Sequence, residues 1–84
     1  MMTDYITFRS VTVAQRGEKI LNAAGIRCAV RRTPRWMEEQ GCGYCIRLSG
    51  AEVPDALALL RKNQLSWRKV YYQGEDGVLE ERRV

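Results

Sequence analysis

Residues 26–49 read IRCAVRRTPRWMEEQGCGYCIRLS. Two runs in this stretch alternate with period two, the spacing of a strand with one covered face. In the first, Ile26, Cys28 and Val30 fall on one side and Arg27, Ala29 and Arg31 on the other, giving a strand from Ile26 to Arg32. In the second, Tyr44, Ile46 and Leu48 oppose Cys45, Arg47 and Ser49, giving a strand from Tyr44 to Ser49. Thr33-Pro34 ends the first run, because proline cannot donate to a central ladder. Arg35 to Gly41 then reads as a loop. Two strands in succession with no helix between them separate a split β-α-β fold from a simple alternation of strands and helices.

Working outward, Tyr5 to Ser10 reads as a strand with Ile6 and Phe8 on one side and Tyr5, Thr7 and Arg9 on the other. A helix follows. Thr12 and Gln15 fit a capping box, and Val13, Ile20, Leu21 and Ala24 form an apolar stripe. Gly25 suits the left-handed position past its end. Gly17 costs about 1 kcal/mol inside a helix, which points to close packing on the sheet. Downstream, a second helix runs from Pro54 to Asn63. Pro54 and Asp55 suit its first turn, and Val53, Ala56, Leu57 and Leu60 form its buried stripe. Ser66 to Tyr72 is a fourth strand, and Gly74-Glu75-Asp76-Gly77 is a turn. Val78 to Val84 is a short strand or a frayed end. The order is β-α-β-β-α-β. The expected class is α+β, ferredoxin-like, with a four-stranded antiparallel sheet and two helices on one face. The domain is expected over 1–73, with 74–84 as a polar C-terminal extension or a short extra strand.

Eighty-four residues suit one domain. Hydrophobic residues at 45% and charged residues at 29% are the balance of a globular chain rather than a disordered one. No stretch approaches the roughly 18 apolar residues of a membrane helix. Met1-Met2-Thr3-Asp4 has no basic, signal-like character, so a cytoplasmic location is expected. The net charge of +4 allows an anionic partner without requiring one. There is no histidine, which excludes Ser-His-Asp and Cys-His catalysis and imidazole ligation within the chain. Three cysteines without a signal segment argue against a disulfide scaffold. No cofactor is expected.

Chemistry concentrates at Gly41-Cys42-Gly43. Two glycines clear side chains from both sides of one thiol and permit unusual backbone angles. Arg35 and Arg47 are near enough in sequence to favour a thiolate. Cys42 is then a nucleophile or carrier; the alternative is a small residue in a tight turn. Cys42 and Cys45 form a CxxC pair. A zinc site needs four ligands and only Cys28, expected in the core, remains, so no metal is expected in one chain. As a dithiol, Cys45 would be the resolving thiol or else a small strand residue. Arg9, Arg27, Arg31 and Arg47 share the open sheet face with Cys45 and make a basic platform, or an ordinary solvated face. RNA-binding sheets add stacking aromatics on central strands. Here Tyr5 and one of Tyr71 and Tyr72 sit at peripheral or unsettled positions and no RNP pattern occurs, so nucleic acid is not the expected partner. Trp36 and Met37 are a docking knob or a cover for the sheet edge, and a homodimer through Trp36 or an open edge stays open. Glu38 and Glu39 read as solvated loop charge.

Ile6-Thr7-Phe8-Arg9-Ser10, Ala14, Glu18 and Lys19, then Gly25-Ile26, Thr33-Pro34-Arg35, Cys42-Gly43 and Ile46-Arg47-Leu48 occur in an order and spacing that resembles the small bacterial selenium/sulfur carrier family. The likeness runs from Tyr5 to about Tyr72. It implies that Cys42 is the chalcogen acceptor, holding sulfur or selenium as a persulfide or selenosulfide without being an enzyme. Thr33, Pro34, Arg35, Gly43 and Arg47 would shape and charge-stabilise the site. The implied partners are a cysteine desulfurase or selenocysteine lyase upstream and a selenium- or sulfur-using acceptor enzyme downstream. Cys45 departs from the family pattern, where a small or apolar residue stands. A second thiol there could strip a persulfide from Cys42 by closing a disulfide. Two other readings stand beside the carrier: a thiol-redox module built on Cys42 and Cys45, and an interaction domain binding an anionic partner through the basic face.

Overall fold

The computed structural model describes residues 3–33, 43–74 and 79–82. They form β1 (Thr3–Thr7), α1 (Val11–Ala23), β2 (Cys28–Arg32), β3 (Tyr44–Ser49), α2 (Val53–Lys62), β4 (Val70–Gln73) and β5 (Leu79–Arg82). A 3-10 turn over Gly50–Glu52 leads into α2. The β3 strand has the bounds its alternation predicts.

All strand pairs are antiparallel, and the strand order is β2-β3-β1-β4-β5. The expected β-α-β-β-α-β order is present, and a ferredoxin-like arrangement is compatible with it. The sheet has five strands, however, not four. The extra strand is the C-terminal segment, paired along β4 with Tyr71 opposite Glu81 and Tyr72 opposite Glu80.

Register sorts the residues into two faces. Val30, Ile46, Ile6 and Val70 lie side by side across four strands. Ile46, Ile6 and Val70 belong with Phe8, Leu21, Val53, Ala56, Leu57 and Leu60 to a single buried cluster, and the partly buried Val30 packs against it, so both helices cover the same face. Gly17 makes this possible: a Cβ there would stand 3.1 Å from Leu60 Cδ2 and 3.2 Å from Ile46 Cδ1. On the opposite face, Ala29, Arg47, Tyr5, Tyr71 and Glu81 form one row, and Arg31, Cys45 and Thr7 form the next.

The helix ends follow their capping chemistry. The N-cap of α1 is Ser10, not Thr12. Ser10 has extended backbone angles, and its hydroxyl accepts from the Val13 N–H. Gly25 adopts φ +86° past the end of α1, with Gly25 N–H donating to Asn22 O and Ile26 N–H to Leu21 O. The α2 helix closes the same way, with Gln64 at φ +60° and Leu65 N–H donating to Leu60 O. In both cases the next residue, Ile26 or Leu65, is buried.

The fourth strand starts at Val70 rather than Ser66. Its approach is tied to Thr7 instead of a ladder: Arg68 N–H donates to Thr7 O, and Lys69 N–H to the Thr7 hydroxyl. Asp4 is fully buried on the helix-covered side. Arg82 of β5 grips it, Nε to Oδ2 at 2.8 Å and Nη2 to Oδ1 at 3.3 Å. The Arg82 guanidinium also lies 4.7 Å over the Tyr72 ring. The C-terminal strand is therefore fastened to the first strand across β4. Among the described residues no helix is long and apolar enough to cross a membrane.

Candidate functional site

The β2-β3 hairpin carries the glycine-flanked thiol. At its end, Thr33 N–H donates to Gly43 O at 2.7 Å, continuing the ladder one pair past Arg32 and Tyr44. Gly43 has φ +78°, a conformation that needs glycine. Thr33 and Gly43 are both buried. This bond clasps the two ends of the segment between them. Cys42, Pro34 and Arg35 lie in that segment, outside the described residues, as do Trp36, Met37, Glu38 and Glu39. Cys42 is joined directly to the clasped Gly43.

The other two thiols are held in different ways, Cys45 fully buried and Cys28 partly buried. Cys45 stands between Thr7 and Arg31 on the face opposite the helices, as alternation predicts. It is nevertheless 0% exposed, and it is not part of the helix-side cluster. Cys28 lies on the covered side and packs against the core. Its Sγ lies 3.8 Å from Glu18 O and 3.7 Å from Asn22 Oδ1. Burial, and then the nearby Glu18 charge, push its pKa up from 9.0 to about 11. At neutral pH it is a thiol, not a nucleophilic thiolate. Glu18 also accepts from the Val30 N–H at 2.8 Å, which satisfies an amide of the edge strand β2.

Arg47 is exposed at the middle of β3, opposite Ala29 and Tyr5. It lies four steps along the strand from Gly43, a span of about 13 Å. Arg31, opposite Cys45, is the arginine closer to the clasp on that face. Arg32 turns to the other side, its guanidinium 5.6 Å from the Tyr44 ring. The site residues thus divide into a clasp formed by Thr33 and Gly43, a buried thiol at Cys45, and Arg47 farther along the sheet. Among the described residues no group of three or more cysteine or carboxylate side chains is placed to hold a metal ion.

Sequence reasoning missed the pairing of Tyr5 with Tyr71. Tyr5 stands on the central strand rather than at a periphery, and register selects Tyr71, not Tyr72, as its neighbour. It also missed the buried Asp4 and its partner seventy-eight residues away. No local signal marks either one.

A family model described as "Putative Se/S carrier protein-like" matches residues 4–72. The matched span runs from β1 into β4 and includes the whole β2-β3 hairpin; β5 lies beyond it. No curated protein and no solved structure matches the chain.

Proposed function

We propose that this chain, which belongs to the "Putative Se/S carrier protein-like" family, carries selenium or sulfur on the Cys42 thiol. The observation that carries this reading is the state of its two companions. Cys28 is held protonated against the core, with its pKa pushed up to about 11. Cys45 is 0% exposed. Cys45 is out of reach of a protein donor or acceptor, and Cys28, only partly buried, stays a thiol at neutral pH and is a poor nucleophile. Cys42 is the remaining thiol of the three, and it adjoins a glycine whose positive φ and clasp to Thr33 form the end of the hairpin.

In the loading step the Cys42 thiolate attacks the outer sulfur of a persulfide on the donor. A new sulfur–sulfur bond forms on Cys42, the donor's sulfur–sulfur bond breaks, and the donor leaves as a thiolate. Selenium transfers in the same way to give a selenosulfide. Unloading to an acceptor thiolate reverses the roles. No step in the transfer is a net oxidation or reduction, so it needs no oxidant or reductant. The donor class is a cysteine desulfurase or selenocysteine lyase, and the acceptor is a selenium- or sulfur-using enzyme. The burial of Cys45 disfavours a dithiol that exchanges with solution. Its position three residues after Cys42 leaves it a local role: attack of its thiolate on the Cys42 sulfur would close a Cys42–Cys45 disulfide, break the bond to the carried atom and release it as sulfide or selenide, which limits the lifetime of the loaded form.

Intact-protein mass spectrometry after incubation with a desulfurase or lyase and its substrate tests this. The expected result is a gain of one sulfur or selenium atom that is retained in Cys28→Ser and lost in Cys42→Ser. A Cys42→Ser protein that still gains the atom overturns the assignment.

A further inference from the structure

The face of the sheet opposite the helices has features that chalcogen carriage does not use. Arg27, Arg31 and Arg47 surround Ala29 there. Arg47 is directly across from Ala29 in the β2-β3 register, and Arg31 lies two residues along the strand from it on the same side. All three are exposed. Among the described residues none of the three guanidiniums is held in an ion pair. They line a shallow concavity of about 380 Å³ at the β2-β3 edge, with Thr3, Cys28, Ala29, Leu48 and Ser49 also in its wall and no carboxylate among its lining residues. That volume is at the lower end for small-ligand sites, which run from about 300 to 1,000 Å³.

The concavity continues into an aromatic pair. Tyr5, on the central strand, is opposite Arg47 on one side and Tyr71 on the other. Both tyrosines are half-buried on the same face as the arginines. Neighbouring strands are about 4.8 Å apart, so guanidinium, first ring and second ring follow one another at that interval. At the far end of the row the carboxylate of Glu81 pairs with Lys69 at 3.6 Å, so its charge is partly neutralised.

We infer that this face binds single-stranded RNA, with bases stacked on Tyr5 and Tyr71 and backbone phosphates held by Arg27, Arg31 and Arg47. Every base has a π-face that a half-exposed tyrosine on a sheet face can stack against. Guanidiniums bind phosphate through paired N–H donors. The Thr3 and Ser49 hydroxyls in the concavity are suited to the ribose 2′-hydroxyl, the group that distinguishes RNA from DNA. An acidic protein surface would satisfy the arginines but has no need of the two adjacent rings.

The test is fluorescence anisotropy with a short labelled oligouridylate, beside the DNA of the same sequence and a polyglutamate competitor. Wild-type protein is expected to bind the RNA at low salt. The logarithm of its affinity should fall linearly with the logarithm of salt concentration, with a slope near −2 for three phosphate contacts (~0.7 per contact). Arg27→Gln and Arg31→Gln should each flatten that slope by about 0.7. Tyr5→Leu and Tyr71→Leu keep an apolar side chain in the strand; each should weaken binding by about five- to a hundredfold with the slope unchanged. Far-UV circular dichroism and thermal unfolding confirm that each variant is folded. Absence of binding at low salt overturns the proposal. So does wild-type affinity in both folded tyrosine variants, or polyglutamate that competes mole for mole, either of which marks a general polyanion or acidic-protein surface. DNA bound as tightly as RNA overturns the assignment to RNA. Cys42→Ser should bind RNA as the wild type does, so this result is separable from chalcogen loading.

Discussion

The two faces of one sheet treat polar groups in opposite ways. On the helix-covered face polar groups are matched: Asp4 by Arg82, the Val30 amide by Glu18, and the Cys28 thiol by Glu18 O and Asn22. On the opposite face three arginines stand around Ala29 without a carboxylate between them. The strands are shared, so strand propensity cannot account for the difference. Burial does. A polar group out of water must be paired or it destabilises the fold, whereas a hydrated guanidinium can be left for a ligand. The paired, buried polar groups that stabilise the fold are therefore concentrated on one side of the sheet, and the unpaired guanidiniums on the other.

The largest test of that division is Arg82→Met. It leaves the Asp4 carboxylate, 0% exposed, without its partner. Breaking a buried pair by removing one member costs about 3–5 kcal/mol. The Arg82 side chain is about one-third exposed, which places the expected loss near the lower end, about 3 kcal/mol, read from the midpoint of urea unfolding. Asp4→Leu combined with Arg82→Met should recover most of that loss, because no isolated charge is left behind. If Arg82→Met unfolds at the wild-type midpoint, β5 is not a structural part of the fold.

Next come the two glycines of α1 and its end. In Gly17→Ala the new methyl meets Leu60 Cδ2 and Ile46 Cδ1 at 3.1 and 3.2 Å. Overpacking costs about 1–3 kcal/mol, and the helix-propensity gain returns about 1, so a net loss of about 1 kcal/mol is expected. In Gly25→Ala nothing lies within 4 Å, and the φ of +86° is the whole difficulty. Its loss should also be about 1 kcal/mol. Shortening Leu60 to Val should rescue Gly17→Ala and leave Gly25→Ala unchanged. Rescue of both would mean that packing is not what requires Gly17.

These particulars also show what could be read from the chain and what could not. Strand β3, the apolar stripe of α2 and the left-handed Gly25 follow from local periodicity and backbone preference. The fifth strand does not: Leu79-Glu80-Glu81-Arg82 carries a single apolar residue and no apolar stripe, and its reason for forming is a contact with Asp4 at the other end of the chain. The choice between Tyr71 and Tyr72 depends on a register that no single strand contains. Alternation assigned Cys45 to the correct face, but alternation reports direction and not depth, so its complete burial was invisible. Of the thiol site itself, the clasp between Thr33 and Gly43 is described, whereas Cys42, Pro34 and Arg35 lie outside the described residues.

The covered face also carries a pH dependence. The Cys28 thiol ionises near 9.0 when unfolded and at about 11 when folded, raised by burial and by Glu18. The unfolded chain therefore loses this proton first. The stability that the neutral thiol contributes is whole below pH 9 and is lost as pH rises from about 9 to about 11. Unfolding midpoints followed across that window should fall more steeply for the wild type than for Cys28→Ala. Parallel curves would show that the thiol ionises as freely in the fold as out of it. In the same window iodoacetamide should modify Cys28 slowly until the pH approaches 11.

The smallest effect is expected on the open face, and its smallness is informative. Arg27→Gln, Arg31→Gln or Arg47→Gln removes a hydrated charge that has no partner among the described residues. Surface changes of this kind usually fall within about 0.5 kcal/mol. Here the sign can be argued as well. Arg27 and Arg31 lie two residues either side of Ala29, diagonal to Arg47, and like charges so placed repel, so removing one should stabilise the fold by a few tenths of a kcal/mol at low salt. The gain should vanish as salt screens the remaining pair. A residue whose removal stabilises the fold is kept for something other than the fold. A clear loss of stability in these variants would place the arginines with Arg82, as structural charges, and would remove the distinction between the two faces.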